Sequence, residues 1–321
     1  MTKIVPEAGP SYAMSGWLEA TGFILAVAVL SIIYAYGAQI GVHPIAFVFD
    51  SMLLSAIGML AIASPGPDWR RIILMPQSWL IGAATILMEV SFYLLLTNVH
   101  PALGSTLIRI TALAPMLVGF LIFARMPGRL QMLGGAIIAL AILPLFLNVP
   151  AGRLVPTLFA VLGCVAMLTM RTFAAEFHPD NRAAKTVMEK IRITGLVVLV
   201  TSLAGLVGLV IGSVLVAAGT IAPGLVVPTI AQLVHGPTLA LAAFAGVFVL
   251  TAMAYFSYSS VVKITAENLI AVAGLQPITT LIMQEVAGRL GVIPHFAIDV
   301  TLLVGMVVVA IGTLIMVAGA R

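Results

Sequence analysis

Two residues of opposite charge lie inside apolar segments of this sequence. Glu89 is in the segment 77–97 and Arg109 is in the segment 103–124, with the turn Asn98-Val99-His100-Pro101 between them. At a helical rise of about 1.5 Å per residue, Glu89 lies about 12 Å and Arg109 about 9 Å from the same membrane face. Their similar depth allows the two side chains to meet. A charge inside a bilayer costs at least about 3 kcal/mol, so such residues usually face a protein interior or a wet cavity.

Both charged residues have chemistry that suits the binding of a solute. Glu89 shares a helical face with Thr85, Tyr93 and Thr97 at a spacing of four residues. Its carboxylate can contact the amine of a substrate or carry a proton. The planar guanidinium of Arg109 suits a carboxylate or a phosphate. Together they match a zwitterion such as an amino acid, and the alternative is that they neutralise each other and hold the hairpin.

Polar residues in the segment 266–286 are expected at the same site. Gln276, Thr280 and Gln284 follow one another at a spacing of four residues, so they share one helical face. Their amides and hydroxyl can orient a polar solute in a cavity, or they can bond neighbouring helices. Tyr93 and Tyr255 are predicted to flank the solute, where a cation–π contact is possible.

Asp50, in the segment 43–64, is a second candidate for proton coupling, with a structural polar contact as its alternative. The single cysteine, Cys164, excludes an intramolecular disulfide and a multi-cysteine metal site. The histidines lack metal-ligand spacing on one helix. No catalytic residue, metal or cofactor is therefore expected. The predicted substrate-binding residues are Glu89, Arg109, Tyr93, Gln276, Thr280 and Tyr255, and the proton-coupling candidates are Glu89 and Asp50.

The elements that must carry these residues are membrane helices. The 321 residues are 62% hydrophobic and 8% charged, with a mean hydropathy of +1.20. A soluble domain normally has about 25% charged residues. Ten apolar segments are long enough to cross a hydrocarbon core of about 30 Å, so the sequence predicts an all-α integral membrane protein with ten transmembrane helices. The predicted spans are 16–36, 43–64, 77–97, 103–124, 129–148, 154–174, 192–216, 237–258, 266–286 and 298–319.

The basic residues predict an orientation in the membrane. If the N-terminus is cytoplasmic, twelve of the 15 Lys and Arg residues lie on the inner side, whereas only Arg153 and Arg289 lie outside and Arg109 lies within a span. This asymmetry follows the positive-inside rule, so both termini are expected in the cytoplasm of a bacterial-type inner membrane. The twelve inner residues are Lys3, Arg70, Arg71, Arg125, Arg129, Arg171, Arg182, Lys185, Lys190, Arg192, Lys263 and Arg321.

The ends and the charge pattern limit the expected partners. The polar start, residues 1–15, has no hydrophobic region followed by a cleavage site, so no removable signal peptide is expected. No run of basic residues suits nucleic acid. The expected partners are the lipid bilayer and a small-molecule substrate.

The sequence also contains a weak internal repeat. Leu107-Ile108 precede Pro115, and Leu269-Ile270 precede Pro277 by the same spacing, at an offset of about half the chain. Under this offset Tyr93 falls on Tyr255. Five spans per half is an odd number, so the second half must be inserted upside down. The sequence therefore predicts two inverted five-helix repeats with a boundary near residue 150. Residues 1–174 hold the first repeat plus span 6, residues 175–191 form a cytoplasmic linker, and residues 192–321 hold the remaining four spans.

This arrangement resembles the drug/metabolite transporter superfamily, and its EamA-type exporters in particular. The resemblance covers nearly the whole chain and rests on apolar and small residues: ten spans as five plus five, the start Pro101-Ala102-Leu103-Gly104-Ser105 of a proline-bearing fourth span, Gly134-Gly135 in the fifth span, and Pro277 with Glu285 in the second half. Relatives often have Glu-Arg-Leu after the fourth span, whereas this sequence has Gly128-Arg129-Leu130. The resemblance implies a substrate path between the halves, lined by spans 1, 3, 4, 6, 8 and 9.

Transport is the function that these features predict, with Arg109 on the anionic group and Glu89 on the amine or the proton. Scattered acids and isolated histidines disfavour an integral-membrane lipid-modifying enzyme, which stays a remote alternative. No ring of like charge indicates a channel, and no GxxxxGK[ST] loop indicates ATP binding. The prediction is a secondary transporter, acting as an exporter of a small polar or zwitterionic metabolite such as an amino acid by alternating access, with proton coupling as an option. An organic-cation or drug efflux carrier is the alternative.

Overall fold

The computed structural model describes residues 10–264 and 266–319, which form helices joined by turns, without a strand. Ten stretches are long and apolar enough to cross a membrane, as predicted, so the chain has the architecture of a multi-pass all-α membrane protein. Lys3 and Arg321 lie outside the described residues. The ten spans, numbered 1 to 10, are Met14–Gln39, Pro44–Ala63, Pro76–Asn98, Pro101–Phe123, Arg129–Leu147, Ala151–Phe177, Val187–Ala217, Ile230–Ile264, Asn268–Arg289 and Val300–Ala318.

Two of the spans are broken near a proline. Span 4 consists of the helix Pro101–Leu107, the 3₁₀ turn Ile108–Ala112 and the helix Leu113–Phe123. Span 9 consists of the helices Ala266–Ala273 and Gln276–Arg289. Pro115 and Pro277 lie in the first turn of the second helix, where proline is tolerated because the N–H that it lacks has no intrahelical partner there.

Other helices complete the chain. Span 8 contains the short helix Ile230–Leu233, the helix Gly236–Ala243, the π-helix Phe244–Leu250 and the helix Thr251–Ile264. The helix of span 1 begins at Pro10. Short helices at Trp69–Leu74 and Pro179–Ala183 lie between spans. Span 6 ends at Phe177 and span 7 begins at Val187. Both helices therefore continue into the stretch 175–191 that the sequence predicts as a linker.

A His-Pro pair begins three of the helices. His43 precedes Pro44 at the start of span 2, His100 precedes Pro101 at the start of span 4, and His178 precedes the helix Pro179–Ala183. In each case a histidine ring nitrogen accepts a hydrogen bond from the backbone N–H three residues later. The proline sets the first helical φ while the histidine satisfies a free N–H donor. Three of the five histidines therefore act as helix caps.

The spans pack as a set of recurring pairs. Span 3 packs on span 6, span 1 on span 8, span 2 on span 7, span 4 on span 9, and span 5 on span 10. Glycines permit the closest of these approaches. An added Cβ on Gly134 of span 5 would lie 2.4 Å from the carbonyl oxygen of Gly312 in span 10, so the two backbones touch.

The two ends of the bundle differ in charge. At the end where span 1 begins and span 10 ends, here called the basic end, Arg71 pairs with Asp180, Arg125 with Glu176 at 2.5 Å, and Lys263 with Glu19 at 2.5 Å. At the opposite end, Arg289 pairs with Glu285 at 2.8 Å. The basic end therefore holds most of the ion pairs that tie spans together.

Candidate functional site

A cavity of about 320 Å³ lies at the centre of the bundle. Its volume is at the small end of the roughly 300–1,000 Å³ range of ligand pockets. Side chains of spans 1, 2, 3, 4, 6, 7, 8 and 9 line it, which are the six spans implied by the resemblance together with spans 2 and 7. The charged lining residues are Glu89, Arg109 and Arg171.

Glu89 is held by a tyrosine from another span. Its side chain is 4% exposed, and its Oε2 accepts a hydrogen bond from the hydroxyl of Tyr34 at 2.7 Å. Tyr34 is in span 1 and fully buried. A buried carboxyl group without a donor would be costly, so this bond stabilises Glu89 at the cavity wall.

Arg109 lies on the 3₁₀ turn of span 4 and reaches across to span 9. Its Nη1 donates to the carbonyl oxygen of Ala273 at 2.9 Å, and its Nη2 donates to the side-chain oxygen of Gln276. Ala273 lies four residues before Pro277, which has no N–H with which to bond that carbonyl. The guanidinium therefore satisfies the C-terminal end of the helix Ala266–Ala273, where a cation is also favoured by the helix dipole.

The predicted alternative of a structural ion pair between Glu89 and Arg109 is wrong. Both side chains line the cavity, yet no ion pair joins them in the described part of the chain. Each is bound to a partner from another span. The break in span 4 places Arg109 against the broken helix of span 9, and this break cannot be read from charge depth alone.

Only three of the predicted site residues line the cavity. Glu89, Arg109 and Gln276 do so, whereas Tyr93, Tyr255, Thr280 and Asp50 do not. Tyr93 and Thr280 are fully buried in the protein, and each has a hydroxyl without a hydrogen-bond partner among the described residues.

The other two predicted site residues, Tyr255 and Asp50, also lie outside the cavity. Tyr255 packs against the cluster of Met59, Ala63 and Ile191 near the basic end. Asp50 is half-buried on span 2, and its Oδ2 has no hydrogen-bond partner in the ranges 10–264 and 266–319. The repeat offset pairs Tyr93 with Tyr255 and helical spacing pairs Gln276 with Thr280, but of these four residues only Gln276 lines the cavity.

Sequence reasoning missed several residues of the cavity wall. Arg171, near the basic end of span 6, is only counted among the residues of the inner side, and Tyr258 has no predicted role in the site. Tyr258 lines the cavity and exchanges a 2.6 Å hydrogen bond with Thr194 of span 7. An arginine at the end of an apolar segment has the same pattern whether it faces water or a cavity, so no sequence signal separates the two.

Aromatic rings fill the bundle between the cavity and the opposite end. The ring of Tyr34 lies 4.9 Å from Tyr93, 5.8 Å from Phe47 and 5.8 Å from Phe92. These four residues, here called the aromatic plug, come from spans 1, 2 and 3. The contacts of Tyr34 with Phe47 and Phe92 are edge contacts, which are favourable.

Polar contacts join spans 4 and 9 beyond the aromatic plug. The Gln284 side-chain oxygen accepts from the backbone N–H of Ala102 at 2.9 Å, so Gln284 bonds a helix start and does not line the cavity. His100 stacks on Phe296 with ring centroids 5.3 Å apart, and burial lowers the pKa of His100. A neutral ring suits this apolar contact. The aromatic plug and these contacts therefore lie between the central cavity and a second cavity of about 750 Å³ at the opposite end, which His100 and Phe296 line.

Comparison with known proteins adds information on the fold. No protein-family model matches the sequence, and no curated protein matches it. Fifteen chains of solved structures match the fold. One, a crystal structure of a protein, has a TM-score of 0.58 over 96% of this chain and 99% of its own, at 15% sequence identity. This chain therefore shares its overall fold with a protein of known structure.

Proposed function

We propose that this protein is a secondary transporter of small polar or zwitterionic metabolites, of the drug/metabolite transporter type. The observation that carries the proposal is a central cavity in which side chains of opposite charge come from different spans. Charged residues are costly in a membrane interior and mark solute pathways there. A packed bundle that needed only stability would not require them.

The packing of the spans supports two inverted repeats. Shifting every span number by five exchanges the pair of spans 3 and 6 with the pair of spans 8 and 1. The pairs 2 and 7, 4 and 9, and 5 and 10 map onto themselves. The breaks before Pro115 and Pro277 also correspond under this shift. Because five spans per half is odd, such halves have opposite orientations in the membrane.

One departure from this symmetry supports alternating access. Span 1 packs on spans 3 and 4, but no comparable packing joins span 6 to spans 8 and 9 among the described residues. The corresponding contacts are thus more extensive in one half of the protein than in the other among the described residues. With the basic end in the cytoplasm, as the positive-inside rule favours, we propose that the cavity opens inward, on the side lined by Arg171 and Tyr258. Exchanging the two packing patterns between the halves would open it outward.

The charges of the cavity favour a substrate with an acidic group. Two arginines and one glutamate line the wall, so the balance is positive even with Glu89 ionised. An organic cation would face this excess of positive charge. A zwitterion or an organic acid would find arginines suited to its carboxylate.

Transport can be tested in proteoliposomes. Purified protein is reconstituted into vesicles preloaded with an unlabelled amino acid, and uptake of the same labelled amino acid is measured with and without a pH gradient. Leucine, serine and glutamate are compared with tetraphenylphosphonium as the organic cation. We expect saturable exchange of at least one amino acid, absent from protein-free vesicles. Exchange of the cation alone would support the drug carrier, and no exchange of any solute by folded protein would refute secondary transport of these classes.

A further inference from the structure

We propose that Arg171 binds the acidic group of the substrate, and that the substrate is a small carboxylic acid with an apolar body. This inference rests on the proposed transport function and names the substrate class of the same cavity. It assigns the role predicted for Arg109 to a different residue.

The three charged residues of the cavity differ in how they are engaged. Glu89 accepts a hydrogen bond from the hydroxyl of Tyr34, and Arg109 donates hydrogen bonds to Ala273 and Gln276. Arg171 makes no hydrogen bond and no ion pair with any residue in the described ranges, although its charge attracts Glu89 across the cavity. Arg171 is therefore the cavity cation whose donors are free to bind a solute.

The position of Arg171 argues against a role as an anchor at the membrane surface. It lies six residues before Phe177, the end of span 6, which is about 9 Å at the helical rise. Its side chain is half-buried and lines the same wall as Leu168, one turn earlier. A half-buried guanidinium on the wall of a cavity needs water or an anion, and its planar fork binds a carboxylate through two parallel hydrogen bonds.

Arg109 is poorly placed for the same task. Its Nη1 donates to the carbonyl of Ala273, which Pro277 leaves without a helical donor. If Arg109 turned to a substrate, that carbonyl would have no hydrogen-bond donor. Its Nε is buried without a partner among the residues described. Arg109 thus positions the broken helix of span 9, and Arg171 remains for the substrate.

The rest of the cavity determines the body of the substrate. Four methionines, Met52, Met59, Met88 and Met253, line it together with Phe23 and Phe92. Methionine is flexible and polarizable, so it adapts to apolar groups of different shape. Ser55, Thr111 and Ser257 also line the cavity, but more of the wall is apolar than polar, so a sugar would leave some of its hydroxyl groups against apolar side chains, which costs free energy. An acid with an aliphatic or aromatic body fits both the cation and the wall.

Binding to the purified protein tests the assignment directly. The probes are 4-methylpentanoate, leucine and 3-methylbutylamine, which share one apolar body and carry an acid, a zwitterion and an amine. We expect the acid and leucine to bind and to raise the thermal stability, and the amine not to bind. Arg171→Gln should weaken binding of the acid about tenfold to a hundredfold, because a charge-assisted hydrogen bond is lost. Arg171→Lys should recover only part, since lysine lacks the fork.

Two controls keep the test decisive. Arg182→Gln removes an exposed basic residue near the same end of the bundle and should leave binding unchanged. In the wild-type protein, 4-methylpentanoate should slow the modification of Arg171 by phenylglyoxal, read by peptide mass spectrometry, while Arg182 reacts at the same rate. This measurement does not depend on any variant folding.

The outcomes separate this inference from the transport function. Unchanged acid binding by Arg171→Gln, no protection of Arg171, or binding of the amine alone or of no probe would overturn the assignment. Amino-acid exchange that survives Arg171→Gln at the wild-type rate would leave transport standing and overturn the role of Arg171. Acid binding through Arg171 without exchange in vesicles would keep this inference and refute transport.

Discussion

The hydroxyl of Tyr34 donates to Oε2 of Glu89 at 2.7 Å and thereby links span 1 to the charged residue of span 3. The neighbouring ring of Tyr93, 4.9 Å away, has an equally buried hydroxyl without a partner among the described residues. One of two adjacent tyrosines thus makes a hydrogen bond from its hydroxyl. This bond ties the wall of the cavity to the aromatic plug.

The first prediction compares these two tyrosines. Tyr34→Phe should lower the free energy of unfolding by about 1–3 kcal/mol, because the buried Glu89 loses its donor. Tyr93→Phe should be neutral or slightly stabilising, because it removes a hydroxyl that makes no bond. Unfolding in mixtures of SDS and a mild detergent, followed by helical circular dichroism, measures both. Equal losses would show that the Tyr34 hydrogen bond does not stabilise the bundle.

The second prediction concerns Arg109 and Pro277. Arg109→Ala should destabilise the protein by about 1–3 kcal/mol, because the carbonyl of Ala273 loses its donor in the apolar interior. In a Pro277→Ala background, residue 277 has an N–H that can bond this carbonyl, so the same change should cost less. The double-mutant cycle should therefore show a coupling of about 0.5–3 kcal/mol. Strictly additive effects would mean that Arg109 does not serve the carbonyl freed by Pro277.

The membrane spans of this fold are predictable from sequence, because each one is a continuous apolar segment of sufficient length. The ends of most spans shift by only a few residues, and span 8 extends six residues beyond its predicted end at residue 258 to Ile264. The breaks in spans 4 and 9 are harder to predict from the sequence. Proline marks their neighbourhood, but the 3₁₀ turn around Arg109 depends on contacts with span 9.

The candidate site was only partly predictable for a related reason. An isolated charge in an apolar segment identifies Glu89 and Arg109, since lipid excludes both. It does not identify their partners, because Tyr34 and Ala273 are distant in sequence and ordinary in type. Helical spacing places Tyr93 and Thr280 on the polar stripes of Glu89 and Gln276, but only part of each stripe lines the cavity, and Tyr93 and Thr280 are buried outside it. Which face of a membrane helix points to the cavity depends on how the helix packs against other spans. The residues of that helix alone do not determine this packing.

The third prediction uses two glycines of span 7. An added Cβ on Gly205 would lie 1.9 Å from Cε1 of Phe49 in span 2, whereas at Gly208 nothing lies within 4 Å. Gly205→Ala should therefore displace the ring of Phe49 and cost about 1–3 kcal/mol through overpacking. Gly208→Ala adds helix propensity without a clash and should be neutral or stabilising by up to about 1 kcal/mol. Melting curves of the two variants in one detergent compare them, and equal melting temperatures would contradict the close approach.

The fourth prediction is a pH dependence at the basic end. His178 is fully buried; its Nδ1 accepts from the N–H of Asn181 at 3.2 Å, and its Nε2 lies 2.9 Å from the hydroxyl oxygen of Ser78. Ser78 donates its hydroxyl hydrogen to Ile72, so the Nε2 of a neutral ring donates to Ser78. Burial lowers the pKa of His178. The nearby positive charge of Arg71 also lowers this pKa, whereas the negative charge of Asp180 raises it by less than burial lowers it.

This shift determines the sign of the effect. The unfolded chain takes up a proton at a pKa of about 6.5, whereas the folded protein does so only at lower pH, so the unfolded state binds more protons in between. The stability contributed by neutral His178 is therefore complete above about pH 6.5 and is lost as the pH falls through the folded pKa. His178→Asn keeps a helix-capping side chain but does not titrate. Melting temperatures between pH 5 and pH 8 should fall less steeply on acidification in this variant than in the wild type, with His235→Asn as a control for removing a histidine. Some slope should persist, because burial also lowers the pKa of His100. Parallel curves for wild type and His178→Asn would show that protonation of His178 does not destabilise the fold.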